Sequence, residues 1–282
     1  MTLSFNEQNG EKASEEGRRG TYVVVGVFLV CILVVAGLFH FFWSTPISTG
    51  FEFKAAIVDH LSFESPSAAT QPNQTFVETV TGLLEQNGYT VDYYEGEKVT
   101  VDFYRNLATH NYSLLVLRVH SAVIYGKESL SMFTSEVYGT SKYVPEQLNN
   151  ELTAGKFRDS PTIYFSIPPP FITNCMGGSF ENTTVVMMGC GGLEYETMAE
   201  AFIQKRAKVY VSWSGDILPS HTDQATTVLL THLLSGNQTV QQAVAETNQE
   251  AGSDPVYKST LLYYPLEAGN YTVPTNPTTP EQ

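Results

Sequence analysis

The chain reads as a wound α/β domain, its sheet mostly parallel with one edge strand and with helices on both faces, carried behind a single transmembrane helix. Three observations point there. Strand-like and helix-like segments alternate from Lys54 onward, the rhythm of a parallel sheet with crossover helices. An uncharged run at residues 22–43 precedes that alternation. The run Thr183-Thr184-Val185-Val186-Met187-Met188 has the continuous apolar character of a strand covered on both faces, and it leads into the small-residue turn Gly189-Cys190-Gly191-Gly192.

Bulk properties narrow the function classes. With 282 residues, 42% of them hydrophobic, the chain has room for one α/β domain with a sizeable core plus accessory segments. Its 29 acidic against 15 basic side chains give a net charge of −14, which disfavours nucleic acid as a partner, because phosphate binding needs a basic face. The three cysteines, Cys31, Cys175 and Cys190, lack the paired close spacing of a zinc site and are too few for a disulfide scaffold. No G-x-S-x-G elbow and no G-x-x-x-x-G-K phosphate cradle occurs. Neither a metal nor a cofactor is expected.

Taken in order, residues 1–20 are polar and form a tail that ends in Arg18-Arg19. Residues 21–43 then read as a signal-anchor helix. The uncharged stretch from Tyr22 to Trp43 would span about 33 Å as a helix, which matches a hydrocarbon core of roughly 30 Å. Phe41, Phe42 and Trp43 would sit at the interface. A cleaved signal peptide fits less well, since its apolar region is usually only ~7–15 residues and ends at a small-x-small site. Lys12, Arg18 and Arg19 flank the span on its N-terminal side, whereas the next cation after it is Lys54. The N-terminus is therefore expected in the cytoplasm and everything after Trp43 outside the cell membrane. Sequons at Asn73, Asn111, Asn182, Asn237 and Asn270 all follow the span and are the glycosylation candidates.

A linker at residues 44–52 leads into an α/β domain at 53–268. Strands are predicted at 54–59, 89–94 and 112–119, with helices at 76–87 and 100–109 between them. From Ser121 the rhythm breaks, and an insertion at about 125–180 reads as hairpin and loop. It carries strands at 130–138 and 162–167 and a short helix at 145–152, before Pro168-Pro169-Pro170. Regularity returns with the Cys190 strand. After it come a helix at 195–205, a strand at 208–213, helices at 225–234 and 240–250, and an edge strand at 259–264. Residues 269–282 are Thr/Pro-rich and read as a tail without a core.

Two strands end in reactive residues. YSLLVLRV ends at His120, and TTVVMMG at Cys190. In a wound sheet, chemistry gathers at the carboxyl ends of strands, so neighbouring strands would project both side chains into one crevice. Cysteine needs such help, because a free thiol of pKa ~8.5 is only a few per cent thiolate at neutral pH. The helix after the turn is also expected to point its N-terminus at Cys190 and lower its pKa.

His120 after the third strand and Cys190 after the fourth, 70 residues apart, together with AEAFIQKRAKVYVSWSG, DQATTVLLTHLLSG and VQQAV, resemble the caspase-like cysteine peptidases. That clan holds the caspases, gingipains, clostripain, legumain and separase, and the similarity runs from about Lys54 to Pro265. It implies that Cys190 is the nucleophile and His120 the general base and acid. Backbone N–H groups of Cys190 and Ser121 would form the oxyanion hole. Ser121 departs from the glycine the family usually has after its histidine, and the Cys190 flank is looser than the caspase pattern. Asp59, or less directly His60, would orient the histidine. Trp213, Asp216 and Asp223 fall where the resemblance puts the substrate pocket, with an acid there selecting a basic side chain.

Other readings stand beside these. Cys190 is alternatively an inert buried cysteine, or it pairs with Cys175 in a disulfide that closes ~15 residues and stabilises the fold by about 3 kcal/mol. Two function classes follow. One is a membrane-anchored extracytoplasmic cysteine endopeptidase acting on peptide or protein substrates. The other is a non-catalytic surface module for binding or scaffolding that keeps the fold.

Overall fold

The computed structural model describes residues 53–63, 72–124, 126–158 and 160–275. The expected tail at 1–20, the span at 21–43, the linker at 44–52 and the last residues, 276–282, lie outside them. No helix among the described residues is long and apolar enough to cross a membrane.

The strands, in chain order, are β1 (Lys54–Asp59), β2 (Thr90–Glu95), β3 (Leu114–Arg118), β4 (Ser121–Val123) and β5 (Leu130–Val137). They continue with β6 (Thr153–Lys156), β7 (Ile163–Ile167), β8 (Thr184–Met187), β9 (Val209–Trp213) and β10 (Leu261–Tyr264). The helices are α1 (Gln74–Gln86), α2 (Val101–Asn106), α3 (Val144–Leu148), α4 (Pro169–Asn174), α5 (Thr197–Gln204), α6 (Pro219–Leu233) and α7 (Val240–Glu250). Six strands form the main sheet in the order β10-β9-β8-β3-β1-β2. All its pairings are parallel except that of β10, which runs antiparallel to β9 at the edge, where an edge strand was expected.

Period-two alternation sorts this sheet between two cores. Ala55, Ile57, Leu114, Val116, Val186 and Met188 face one apolar cluster, which α1, α6 and α7 complete with Phe76, Leu84, Leu229, Leu233 and Val244. Ala56, Val58, Leu115, Leu117, Val185 and Met187 face the other, where Tyr104 of α2, Phe171 of α4 and Phe202 of α5 pack. A sheet buried on both faces requires apolar side chains at successive positions, which is why these strands are continuous apolar runs. The mixed α/β class with helices on both faces is thus as the sequence predicts.

The insertion is more ordered than its sequence suggests. It is a four-stranded antiparallel sheet, β4-β5-β7-β6, beginning as early as Ser121. Leu130, Met132, Phe165 and Ile167 from its inner face join the same core as α2, α4 and α5. The three prolines do not end structure either. Pro168 is the cap residue and Pro169 and Pro170 open α4, where a missing N–H costs nothing. The C-terminal end needs a further correction. Residues up to 275 pack on the domain: Val273 is buried, Val240 donates its N–H to the Tyr271 carbonyl at 2.8 Å, and Tyr89 donates its hydroxyl to the Pro274 carbonyl at 2.5 Å.

Candidate functional site

The order of the main sheet reverses between β1 and β3, since the chain runs from β1 out to β2 and then back across to β3, β8 and β9. Carboxyl ends at such a reversal leave a crevice. Register makes it shared: Leu117 lies level with Met187, and Met188 donates its N–H to the Leu117 carbonyl at 2.9 Å. The residues just past both strands, Val119–Ala122 and Met188–Cys190, therefore line one cavity of about 480 Å³. His120 and Cys190 both stand in its wall.

The Cys190 turn is fixed from three sides. Gly191 and Leu193 donate backbone N–H groups to the carbonyls of Gly215 and Trp213, at 2.9 and 2.8 Å. Ser121 donates its hydroxyl to the Cys190 carbonyl at 2.7 Å. Side chains are excluded at the flanks: a Cβ at Gly189 would meet the Ser121 hydroxyl and lie 2.6 Å from the Val119 carbonyl, and one at Gly192 would meet the Ser212 side chain. Close backbone approach thus explains the glycines. The Cys190 N–H has no acceptor among the described residues, which leaves it available to a ligand oxygen.

The two reactive residues occupy opposite walls. The His120 ring packs on Phe157 and Phe133, with centroids 5.1 and 5.9 Å away, and so belongs to the seam with the side sheet. The Cys190 thiol points to the start of α6, where it donates to the Ile217 carbonyl at 3.7 Å. Burial pushes this thiol above its usual range; the Ile217 backbone pulls it back, and the negative charges of Asp216 and Asp254 reinforce the rise. The helix expected to point at Cys190 does not do so, because α5 begins only at Thr197, after a run of turns. The N-terminus of α6 takes that place, with Leu218, Pro219 and Thr222 in the cavity wall. Asp254 holds this entry by accepting N–H bonds from Leu218, Val256 and Tyr257 at 2.9, 2.8 and 2.7 Å. Burial alone would raise the Asp254 carboxyl, but these donors outweigh it and hold the group below its usual range.

Other expected site residues lie elsewhere. Asp59 and Asp223 are buried partners of Arg118, which is itself fully buried. Arg118 Nη1 meets Asp59 Oδ1 at 2.7 Å, while its Nε and Nη2 grip Asp223 at 2.7 and 2.9 Å. Tyr93 donates to Asp59 at 3.3 Å and Asn73 to Asp223 at 2.8 Å. Asp59 is thus taken up by an ion cluster rather than held out to an imidazole. Burial raises its carboxyl despite Arg118 and Tyr93, and the nearby Asp223 charge adds to the rise. Asp223, so employed, is buried on Arg118 and does not line the cavity. Trp213 is core, its indole N–H donating to Thr222 at 2.9 Å. Asp216 is exposed and does not line the cavity. His60 is completely buried, stacked on Phe63 at 5.9 Å; burial and the neighbouring His120 lower its pKa to about 3.

Both described cysteines are free, so the Cys175–Cys190 disulfide is not formed. Cys175 packs on the α4 side of the sheet and Cys190 on the α6 side. Burial and a hydrogen bond to Glu151 push the Cys175 thiol up to about 11. Among the sequons, Asn111, Asn182, Asn237 and Asn270 are exposed. Asn73 instead caps α1 by accepting the Phe76 N–H at 3.1 Å while its amide serves Asp223. No group of metal-binding side chains is found among the described residues.

Sequence reasoning misses the rest of the described lining. Lys156, Phe157, Arg158, Ile217 and Tyr257 line the cavity and come from segments without a periodic signal. Only the Asp254-Pro255 pair marks a turn that carries Tyr257 there.

No protein-family model matches the chain, and no curated protein sequence is similar to it. Among solved structures, one that it resembles is the crystal structure of the Arg-specific cysteine proteinase gingipain R (RGPB). The two share 13% identity with a TM-score of 0.45, over 79% of this chain and 47% of that one. The chain thus spans about half the length of that proteinase. Nothing about activity follows from a likeness at that level.

Proposed function

We propose that the protein is a caspase-like cysteine endopeptidase, anchored by residues 21–43 with its α/β domain outside the cell membrane, and that His120 and Cys190 form its dyad. One observation carries this reading: adjacent parallel strands deliver an imidazole and a thiol to the same cavity, with a free backbone N–H at the cysteine. In the unliganded state the thiol is protonated and turned to Ile217. Rotation of the Cys190 side chain toward His120 lets the imidazole take the proton, and the sulfur then attacks the peptide carbonyl carbon. The N–H groups of Cys190 and Ser121 receive the developing oxyanion. His120 returns its proton to the leaving amine, which departs from a thioester. Water, deprotonated by His120, releases the acid product and restores the thiol.

A peptide library tests this with the full chain. Cys190→Ala should remain folded and lose all cleavage, and cleavage persisting in that variant overturns the assignment. The expected orientation is read by protease added to intact cells, which should digest the α/β domain; a protected domain would reverse it.

A second reading is favoured by the raised thiol and its contact with Ile217: a cleft that binds peptide without cutting it. Wild-type chain that is folded yet inert toward the library decides for this one.

A further inference from the structure

The cavity's described lining carries cations on the side-sheet wall, while Asp216 and Asp254 act on the Cys190 thiol from the α6 side. Among the described residues, its lining includes two cations, Lys156 and Arg158, and no carboxylate. That is out of keeping with a sequence holding 29 acids and 15 bases. Neither cation has a partner among the described residues. Nearly every other cationic side chain of the described residues has a partner: Lys54, Lys98, Arg105, Arg118, Lys142 and Arg206 pair with carboxylates. Lys205 and Lys258 donate to carbonyls, and Lys208 lies over the Tyr271 ring. Lys127 alone shares with Lys156 and Arg158 the lack of any such partner, and it does not line the cavity.

Their placement is held. Lys156 ends β6, and Phe157 between the two cations is buried, stacked on Phe133 at 4.8 Å. Gly155 permits this, since a Cβ there would lie 2.6 Å from the Phe133 ring. The anchored Phe157 therefore presents a cation on each side of it to the cavity.

We infer that Lys156 and Arg158 make the cavity a receptor for the acidic side chain of a peptide, so that the peptides taken are those with Asp or Glu beside the bond presented to Cys190. This rests on the peptide-binding reading above and names the substrate class. It replaces the expectation of a basic side chain, because Asp223 and Trp213 are core and Asp216 lies outside the lining.

The test separates binding from cutting. Fluorescent peptides of one sequence, carrying Glu, Gln or Lys at a single position, are titrated against the full-length Cys190→Ala chain by anisotropy. The Glu peptide should bind roughly three- to tenfold tighter than its Gln counterpart in low salt, the range open to two partly exposed ion pairs. Lys156→Gln with Arg158→Gln should abolish that preference without weakening the Gln peptide. Equal binding of all three peptides, or a preference for Lys, overturns the inference even if the wild type cuts peptides. Acid-selective binding by a chain that never cuts upholds it and refutes the peptidase alone.

Discussion

At the carboxyl end of the main sheet, Arg118 is held to Asp59 and Asp223 by ion pairs of 2.7 Å. Immediately beside it, the seam with the side sheet has no ion pair among its described residues and is made of rings. His60, Phe63, His120, Phe133, Phe157 and Tyr164 meet there at centroid distances of 4.8–6.1 Å. The ion cluster is directional and joins three elements in one arrangement, since a guanidinium fork fits two carboxylates in few ways. The ring seam tolerates adjustment, because aromatic pairs accept several tilts. His120 leans on the adjustable side and Cys190 on the α6 side, which Asp223 fixes. The cavity between them thus has one rigid wall and one that can yield.

Breaking the ion cluster should have the largest effect. Arg118→Met leaves two buried carboxylates without a cation, and its cost should be about 3–5 kcal/mol in urea unfolding at neutral pH. A loss below about 1 kcal/mol would mean that the cluster does not hold α6 to β3. Acid should break the other side. The His60 pKa is about 3 in the folded state against an ordinary 6.5. Between those values the unfolded chain binds a proton that the folded chain refuses. Stability is then full above pH 6.5 and falls by about 1.4 kcal/mol per pH unit below it, levelling near pH 3. His60→Leu should remove this slope from the difference between variant and wild type, measured from pH 7 to 4; an unchanged slope would clear His60 of the effect. Smallest is the expected change in stability for Lys156→Gln with Arg158→Gln, within about 0.5 kcal/mol, because exposed side chains without partners stabilise little. A larger loss would show that the pair supports the seam rather than a ligand.

The main sheet was legible because burial on both faces writes unbroken apolar runs, as in Leu114-Leu115-Val116-Leu117. Helix α7 was equally plain, since Thr239 and Gln242 form a capping box at its start. Strand β6 left no such mark: Thr153-Ala154-Gly155-Lys156 alternates weakly and contains glycine. Helix α4 was concealed by prolines read as a break. At the site, His120 and Cys190 stand out because each follows a strand, and a strand's end is a place the sequence states. What Asp59 and Asp223 do depends on Arg118, 59 and 105 residues away, and no local pattern encodes a partner at that range. Lys156 and Arg158 are hidden for the same reason: their meaning lies in having no ion-pair partner among the described residues.

The ion cluster also bears on how the chain reaches its folded state. Asp59, Arg118 and Asp223 come from β1, β3 and α6, so a fragment without α6 leaves Nε and Nη2 of Arg118 without their acceptor. Intermediates that dry the crevice early would bury those unsatisfied N–H donors and be disfavoured. The cavity should therefore close late and in a single cooperative step, after contacts distant in sequence have been gathered. A nascent chain would hold no working cleft until α6 had arrived.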